Sequence, residues 1–135
     1  MNTFRKTERL CSKKSIDALF MEKKFINAFP FRLFWVHADA EAKAQVLFTV
    51  PKRKFKRAHD RNRIKRQMRE AYRLNKGILY DALDKSDKHI ALAILFTGNE
   101  HPEWETVSRK IILLLQRLTE ELNSSKNLNT EHEAQ

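Results

Sequence analysis

Apolar residues recur along this chain with two periods, three to four and two, and the switches between them divide it into elements. Ile16, Leu19 and Phe20 lie three and four apart, which predicts a short helix from Ser12, its cap, through about Met21. FPFRLFWVHA, residues 29–38, alternates Phe31, Leu33 and Trp35 against Arg32, Phe34 and Val36, the signature of a strand. A second strand follows at 44–50, with Val46, Phe48 and Val50 opposed to Gln45, Leu47 and Thr49. The short DAEAKA connection predicts that the two form an antiparallel hairpin. Pro51 ends the second strand. Asp60 is placed to cap a helix that Gly77 terminates, and its apolar stripe is Ile64, Met68, Ala71 and Tyr72.

Residues 78–85 suit one or two further helical turns. HIALAILFT, residues 89–97, is almost continuously apolar, which fits a strand buried on both faces. Its separation from the second strand by a helix permits parallel pairing. Gly98 and Asn99 turn the chain, and Pro102 suits the first turn of a last helix. That helix carries Trp104, Val107, Ile111, Leu114, Leu118 and Leu122 at spacings of three and four. The expected fold is an α/β (α+β) two-layer sandwich in the order α-β-β-α-(α)-β-α around a central sheet. It forms one domain over 1–122, with residues 1–11 loosely ordered and 123–135 a disordered polar tail.

Composition narrows the class. A chain of 135 residues with 41% hydrophobic content supports one core and is short for two domains. Cys11 is the single cysteine, so no disulfide framework and no thiolate cluster for zinc is available. MNTFRKTERL lacks the apolar core of a signal peptide, and the longest apolar run, Ile111 to Leu115, is far shorter than a membrane span. A soluble, cytoplasmic protein is expected.

Charge changes the picture most. The net charge is +10, and nearly all of it lies in KRKFKRAHDRNRIKRQMREAYR, residues 52–73. That stretch holds eleven basic side chains against Asp60 and Glu70. Asn62, Arg66, Arg69 and Arg73 fall opposite the apolar stripe, with Arg63 and Lys65 on the flanks. An ordinary solvated helix mixes signs. Here like charges are gathered at a cost in self-repulsion that a polyanion would relieve. The candidate nucleic-acid contacts are therefore Lys52, Arg53, Lys56, Arg57, Arg61, Asn62, Arg63, Lys65, Arg66, Arg69 and Arg73. Arginine offers a planar fork for phosphate oxygens and lysine a point charge. Asn62 can both donate and accept, toward an RNA sugar or base edge or toward neighbouring backbone.

Catalytic patterns are missing. The five histidines are scattered, and no HExxH, phosphate-cradling glycine loop or nucleophile elbow occurs. Glu103 and Glu105 read as acids at a helix N-terminus. Neither a catalytic residue nor a metal ligand is expected. Phe20 and Phe34 are candidates for stacking on unpaired bases, against the commoner role of phenylalanine in a core.

Arg61-Asn62-Arg63, then Ile64-Lys65-Arg66 and Arg69-Glu70-Ala71-Tyr72-Arg73, closely resemble the arginine-asparagine-arginine helix of the bacterial ribonuclease P protein component. The element order matches over about residues 8 to 122, and Arg9-Leu10, Ile16 and Phe20 echo the family's opening motif. The resemblance implies a left-handed βαβ crossover around the basic helix, where the general rule gives a right-handed one. It implies that the helix binds a catalytic RNA, which with Mg2+ held by RNA and substrate hydrolyses the phosphodiester joining the 5′ leader to precursor tRNA. The chain would be a subunit of a ribonucleoprotein endonuclease, with no membrane and no obligate protein partner. Ile16, Phe20 and Phe34 would line a leader cleft between the first helix and the sheet, although Ile16 stands where the family commonly has an aromatic. Two other readings are a structural RNA-binding protein of ribosomal type, without a substrate-positioning role, and a duplex DNA reader. The latter lacks a paired recognition helix or a dimer pattern.

Overall fold

The computed structural model describes residues 6–10, 13–21, 25–38 and 42–134, with side chains as far as Asn123 except that of Ser15. Residues 1–5, Cys11 and the Ser12 cap lie outside the described residues. The elements are α1 (Lys13–Met21), β1 (Ile26–Ala28), β2 (Phe31–His37), β3 (Ala44–Thr49), α2 (Ala58–Asn75), α3 (Gly77–Ser86), β4 (Ile90–Phe96) and α4 (Trp104–Ala134). The strands form one sheet in the order β1-β2-β4-β3.

The continuous apolar run puts β4 inside the sheet, with six of its seven residues buried. It pairs antiparallel with β2, from Phe31↔Phe96 to His37↔Ile90, and parallel with β3, from Ala44↔Ile90 to Thr49↔Leu95. The parallel pairing agrees with the expectation, but the β2–β3 hairpin does not exist. A strand that is apolar on both faces gains most by lying centrally. The residues between His37 and Ala44 suffice to step over it, because two strand spacings are only about 9.5 Å. The hairpin occurs one strand earlier, where β1 pairs antiparallel with β2 (Ile26↔Leu33, Ala28↔Phe31) across a cis Phe29-Pro30 peptide. Gly98 is required beside this turn, since a Cβ there would lie 2.7 Å from the Phe96 ring and 3.1 Å from Pro30.

Strand alternation then sorts the two faces. Phe31, Leu33, Val46, Phe48, Ile90, Leu92, Ile94 and Phe96 join Ile64, Met68, Tyr72, Leu79, Leu83, Val107, Ile111, Leu114 and Leu118 in one core beneath α2, α3 and α4. On the reverse face Ala91 and Ala93 are small enough to admit Leu19 of α1 together with Leu10. The architecture is the expected sheet-and-helix sandwich, with α1 alone on the second face.

Several boundaries differ from the expectations. Residues 6–10 are tied down, for Leu10 N donates to Val46 O at 3.1 Å and Arg9 bridges to Val46 in parallel. Glu8 of this segment accepts from Lys76 Nζ at 2.8 and 2.9 Å and from the Tyr80 hydroxyl at 2.6 Å. That pull places the α2–α3 break at Lys76, with Gly77 opening α3 instead of closing α2. α2 begins at Ala58, so Asp60 sits in its first turn and no side chain caps it. Its charge still favours that end through the helix dipole. α3 ends on Asp87 in the left-handed conformation (φ 51°, ψ 44°), whose N–H returns to Leu83 O. Trp104 stands at the head of the α4 stripe but is exposed. α4 continues to Ala134, where the sequence predicts a disordered tail, because intrahelical hydrogen bonds do not need an apolar stripe.

Candidate nucleic-acid interface

The basic stretch folds as a turn clamped onto a helix. After Pro51 the chain reverses, Lys54 N and Phe55 N both donating to Pro51 O at 3.3 Å. Phe55 anchors the turn by burying its ring against Phe96 and His101, at centroid distances of 5.8 and 5.4 Å. With that apolar residue fixed, Lys52, Arg53, Lys56 and Arg57 are left exposed. Lys54 turns the other way and donates from Nζ to Thr97 O at 2.8 Å.

Arg61 joins turn to helix. Its Nη1 donates to Phe55 O at 2.7 Å and Lys56 O at 2.9 Å, so part of its fork is engaged within the protein. Along α2, Ile64, Met68, Ala71 and Tyr72 are buried. Asn62, Arg63, Arg66 and Arg69 are exposed, with Lys65 and Arg73 half-buried. Arg73 bonds Glu70 from Nη2 and, at 3.2 Å, from Nε. That hydrogen bond lowers the Glu70 carboxyl below its usual range and raises the guanidinium. The predicted cations are thus exposed or half-exposed along the turn and α2, and Arg61 and Arg73 have protein partners. His101 Nε2, 3.4 Å from Asp60 Oδ1, links the first turn of α2 to the segment before α4.

The reverse face of the sheet supplies the second half. Strand register sets its side chains in rows, and one row contains Phe34, Ala93 and Leu47. Phe34 lies 6.1 Å from the Phe20 ring of α1 and 5.8 Å from the Phe25 ring. Phe20 and Phe25 remain 49% and 46% exposed, a concentration of open aromatic surface that monomers seldom leave without use. Ile16 packs into the small apolar cluster under α1 with Phe34. The three residues predicted for this face are therefore together, Ile16 as packing and Phe20 and Phe34 as partly open rings. Sequence reasoning missed Phe25 and Arg32, whose guanidinium lies 4.3 Å over the Phe25 ring. The signal lost was β1, too short to stand out as a strand, which brings Phe25 alongside Phe34.

Turn and open face adjoin. Arg32 from β2 and Arg53 and Lys54 from the turn line one cavity of about 390 Å³. Among the described residues no group of three or more His, Cys, Asp or Glu is placed to hold a metal ion, and no helix is long and apolar enough to cross a membrane. The arrangement presents phosphate-matching cations beside partly exposed rings.

Residues 4–119 match the family profile described as Ribonuclease P. A ribonuclease P protein component from Porphyromonas gingivalis is 35% identical over 122 residues, covering 89% of each chain. One from Chlorobium phaeobacteroides is 33% identical over 130 residues, 87% of this chain and 89% of that one. The solved ribonuclease P protein of Staphylococcus aureus superposes with a TM-score of 0.66 at 13% identity, covering 84% of this chain and 96% of that one. That of Thermotoga maritima gives 0.64 at 23%, covering 82% and 96%.

Proposed function

The chain belongs to the ribonuclease P protein family, and we propose that it works as the protein subunit of that ribonucleoprotein, holding the catalytic RNA and the 5′ leader of precursor tRNA on adjacent surfaces. The family's role is in maturing the tRNA 5′ end. The observation that carries the finer reading is the junction of two surfaces of different chemistry: the arginine face of α2 with its turn, and the aromatic face between α1 and the sheet.

In this reading Lys52, Arg53, Lys56, Arg57, Arg63, Lys65, Arg66 and Arg69 neutralise RNA phosphates, Arg53 from the cavity it shares with Arg32. Arg61 holds the turn in shape and offers the rest of its fork, and Arg73 serves from its pair with Glu70. Asn62, exposed among them, has the donor and acceptor to take a sugar or base edge. Phe20 and Phe34 stack on leader bases, an interaction that tolerates any sequence because every base has a π-face. Ile16 supports that floor from below. Magnesium held by RNA and substrate, not by a protein site, would supply the activated water and the stabilisation of the leaving oxygen. The protein contributes position and charge neutralisation, without a catalytic side chain of its own. Such a subunit works in the cytoplasm and needs neither a membrane nor a second protein.

Reconstitution tests this. Protein alone should leave precursor tRNA uncut, and at modest magnesium its addition to the cognate RNA should raise cleavage and tighten binding of leader-bearing substrate over mature tRNA. Unchanged rate and affinity would overturn the reading. Binding of ribosomal RNA with no effect of a leader would instead identify a structural RNA-binding protein.

A further inference from the structure

The open face of the sheet continues past its aromatic row. Asn27, Arg32, Leu95 and Thr49 are neighbours in register across the four strands, one pleat repeat, about 6.6–6.8 Å, beyond Phe34. Leu95 and Arg32 are not part of the apolar cluster that α1 covers. They meet the basic turn instead, and Asn27, Arg32 and Leu95 line the 390 Å³ cavity on one side while Arg53 and Lys54 line it on the other. None of the lining residues is acidic.

Two of the three cations are held in place. Lys54 is tethered to Thr97 O, and Arg32 rests on Phe25. The Arg32 Nε is buried and has no hydrogen-bond partner among the described residues. A buried guanidinium N–H without an acceptor is rare, and three positive side chains around one cavity call for an anion. Arg32 links the cavity to the aromatic row, since its guanidinium lies 4.3 Å over the Phe25 ring, itself 5.8 Å from Phe34, so the anion the cavity suits is part of a chain that also carries bases.

We infer that this cavity is a phosphodiester subsite for single-stranded RNA, in which Arg32 and Arg53 hold the phosphate next to the nucleotide stacked at Phe34. The subsite rests on the leader-binding reading above and extends it by one phosphate. It also gives Arg32 a role that the basic stretch does not contain: its fork is fixed against Phe25, so it meets the phosphate with little loss of rotamer freedom. The same phosphodiester chemistry could come from the catalytic RNA, and the test separates the two sources.

The reconstituted holoenzyme is given precursor tRNAs whose leader phosphates are replaced one at a time by neutral methylphosphonates. With wild-type protein, one position should cost about tenfold or more in affinity, as expected for losing one charge-assisted hydrogen bond. With Arg32→Met the same replacement should cost nothing further, and Arg32→Lys should recover part of the sensitivity. Thermal melting of each variant confirms that it folds. If Arg32→Met weakens binding to the catalytic RNA alone by the same factor, the phosphate is not the leader's and the inference fails. It fails too if the methylphosphonate penalty is undiminished in Arg32→Met. If leader length has no effect even on wild type, the functional reading itself falls and the subsite with it.

Discussion

Glu8 and Lys76, 68 positions apart in the sequence, meet in a buried ion pair at 2.8 and 2.9 Å. Both side chains are at most 10% exposed, and the Tyr80 hydroxyl donates to the same carboxylate. The pair fastens the segment preceding α1 to the α2–α3 junction. Through Arg9 and Leu10 on Val46 it also helps set where α1 crosses the sheet. Breaking one side of a buried pair strands a charge, at about 3–5 kcal/mol. Lys76→Met should cost about that much in urea unfolding, and Glu8→Gln with Lys76→Met together should cost less than the sum of the two.

Arg61 and Arg66, both in the basic run, should respond differently to truncation. Arg61 bonds two carbonyls of the turn, so Arg61→Ala should lower stability by about 1.5–3 kcal/mol as well as weaken RNA binding. Arg66 is exposed, and Arg66→Ala should leave the melting temperature within about 2 °C. It should flatten the slope of log affinity against log salt by about one. Equal stability losses in the two variants would contradict the turn geometry.

Phe20 is half exposed, so Phe20→Ala should lose little core packing. It should cost about 1–3 kcal/mol of affinity for leader-bearing substrate, the range for one base stacked on one ring. Affinity for mature tRNA should not follow. Measuring both substrates with one protein preparation separates lost stacking from lost fold.

These contrasts show which features are legible along the chain. The α2 stripe of Ile64, Met68, Ala71 and Tyr72 and the opposed arginines follow from the 3.6-residue period alone, and the alternation in β2 assigns Phe34 to the face opposite Phe31. The strand order does not follow, because β4 is apolar on both faces and no alternation says which neighbours it takes. Phe25 escapes notice for a related reason, and with it the ring on which Arg32, already on the Phe34 face by alternation, comes to rest. A three-residue strand offers too little pattern, and only its pairing with β2 brings Phe25 beside Phe34. The Glu8–Lys76 pair is invisible because nothing local links residues so far apart, and a Glu in a polar N-terminal segment reads as solvated.

Alkaline pH should loosen the same corner of the molecule. Burial, then the hydrogen bond to and charge of Glu8, push the Tyr80 hydroxyl far above its ordinary value of 10.0, and burial does the same for Tyr72. Below pH 10 both folded and unfolded states keep the phenol protons, so the stabilisation is fully present there. Above that value the unfolded tyrosines ionise first and stability falls, by up to about 1.4 kcal/mol per pH unit for each. Tyr80→Phe should start less stable at pH 8, having lost its bond to Glu8, and should then decline less steeply from pH 10 to 11 in urea midpoints.

The end of α4 allows a sharper separation of helix from core. Leu114, Leu118 and Leu122 are the last residues of its buried stripe, each at most 1% exposed, and the helix nevertheless runs on to Ala134. A helix without a packed face is marginal at this length, so residues beyond Asn123 should add helicity without adding much stability. Ending the chain after Asn123 should reduce the circular dichroism signal at 222 nm while shifting the melting temperature by less than about 2 °C. Ending it after Leu114 removes three buried leucines, Leu115, Leu118 and Leu122, each worth about 2–5 kcal/mol, and should abolish cooperative unfolding. The removed tail carries a single lysine against two glutamates. Affinity for the catalytic RNA should therefore be unchanged after the shorter truncation, and a loss there would show that α4 itself reaches the RNA.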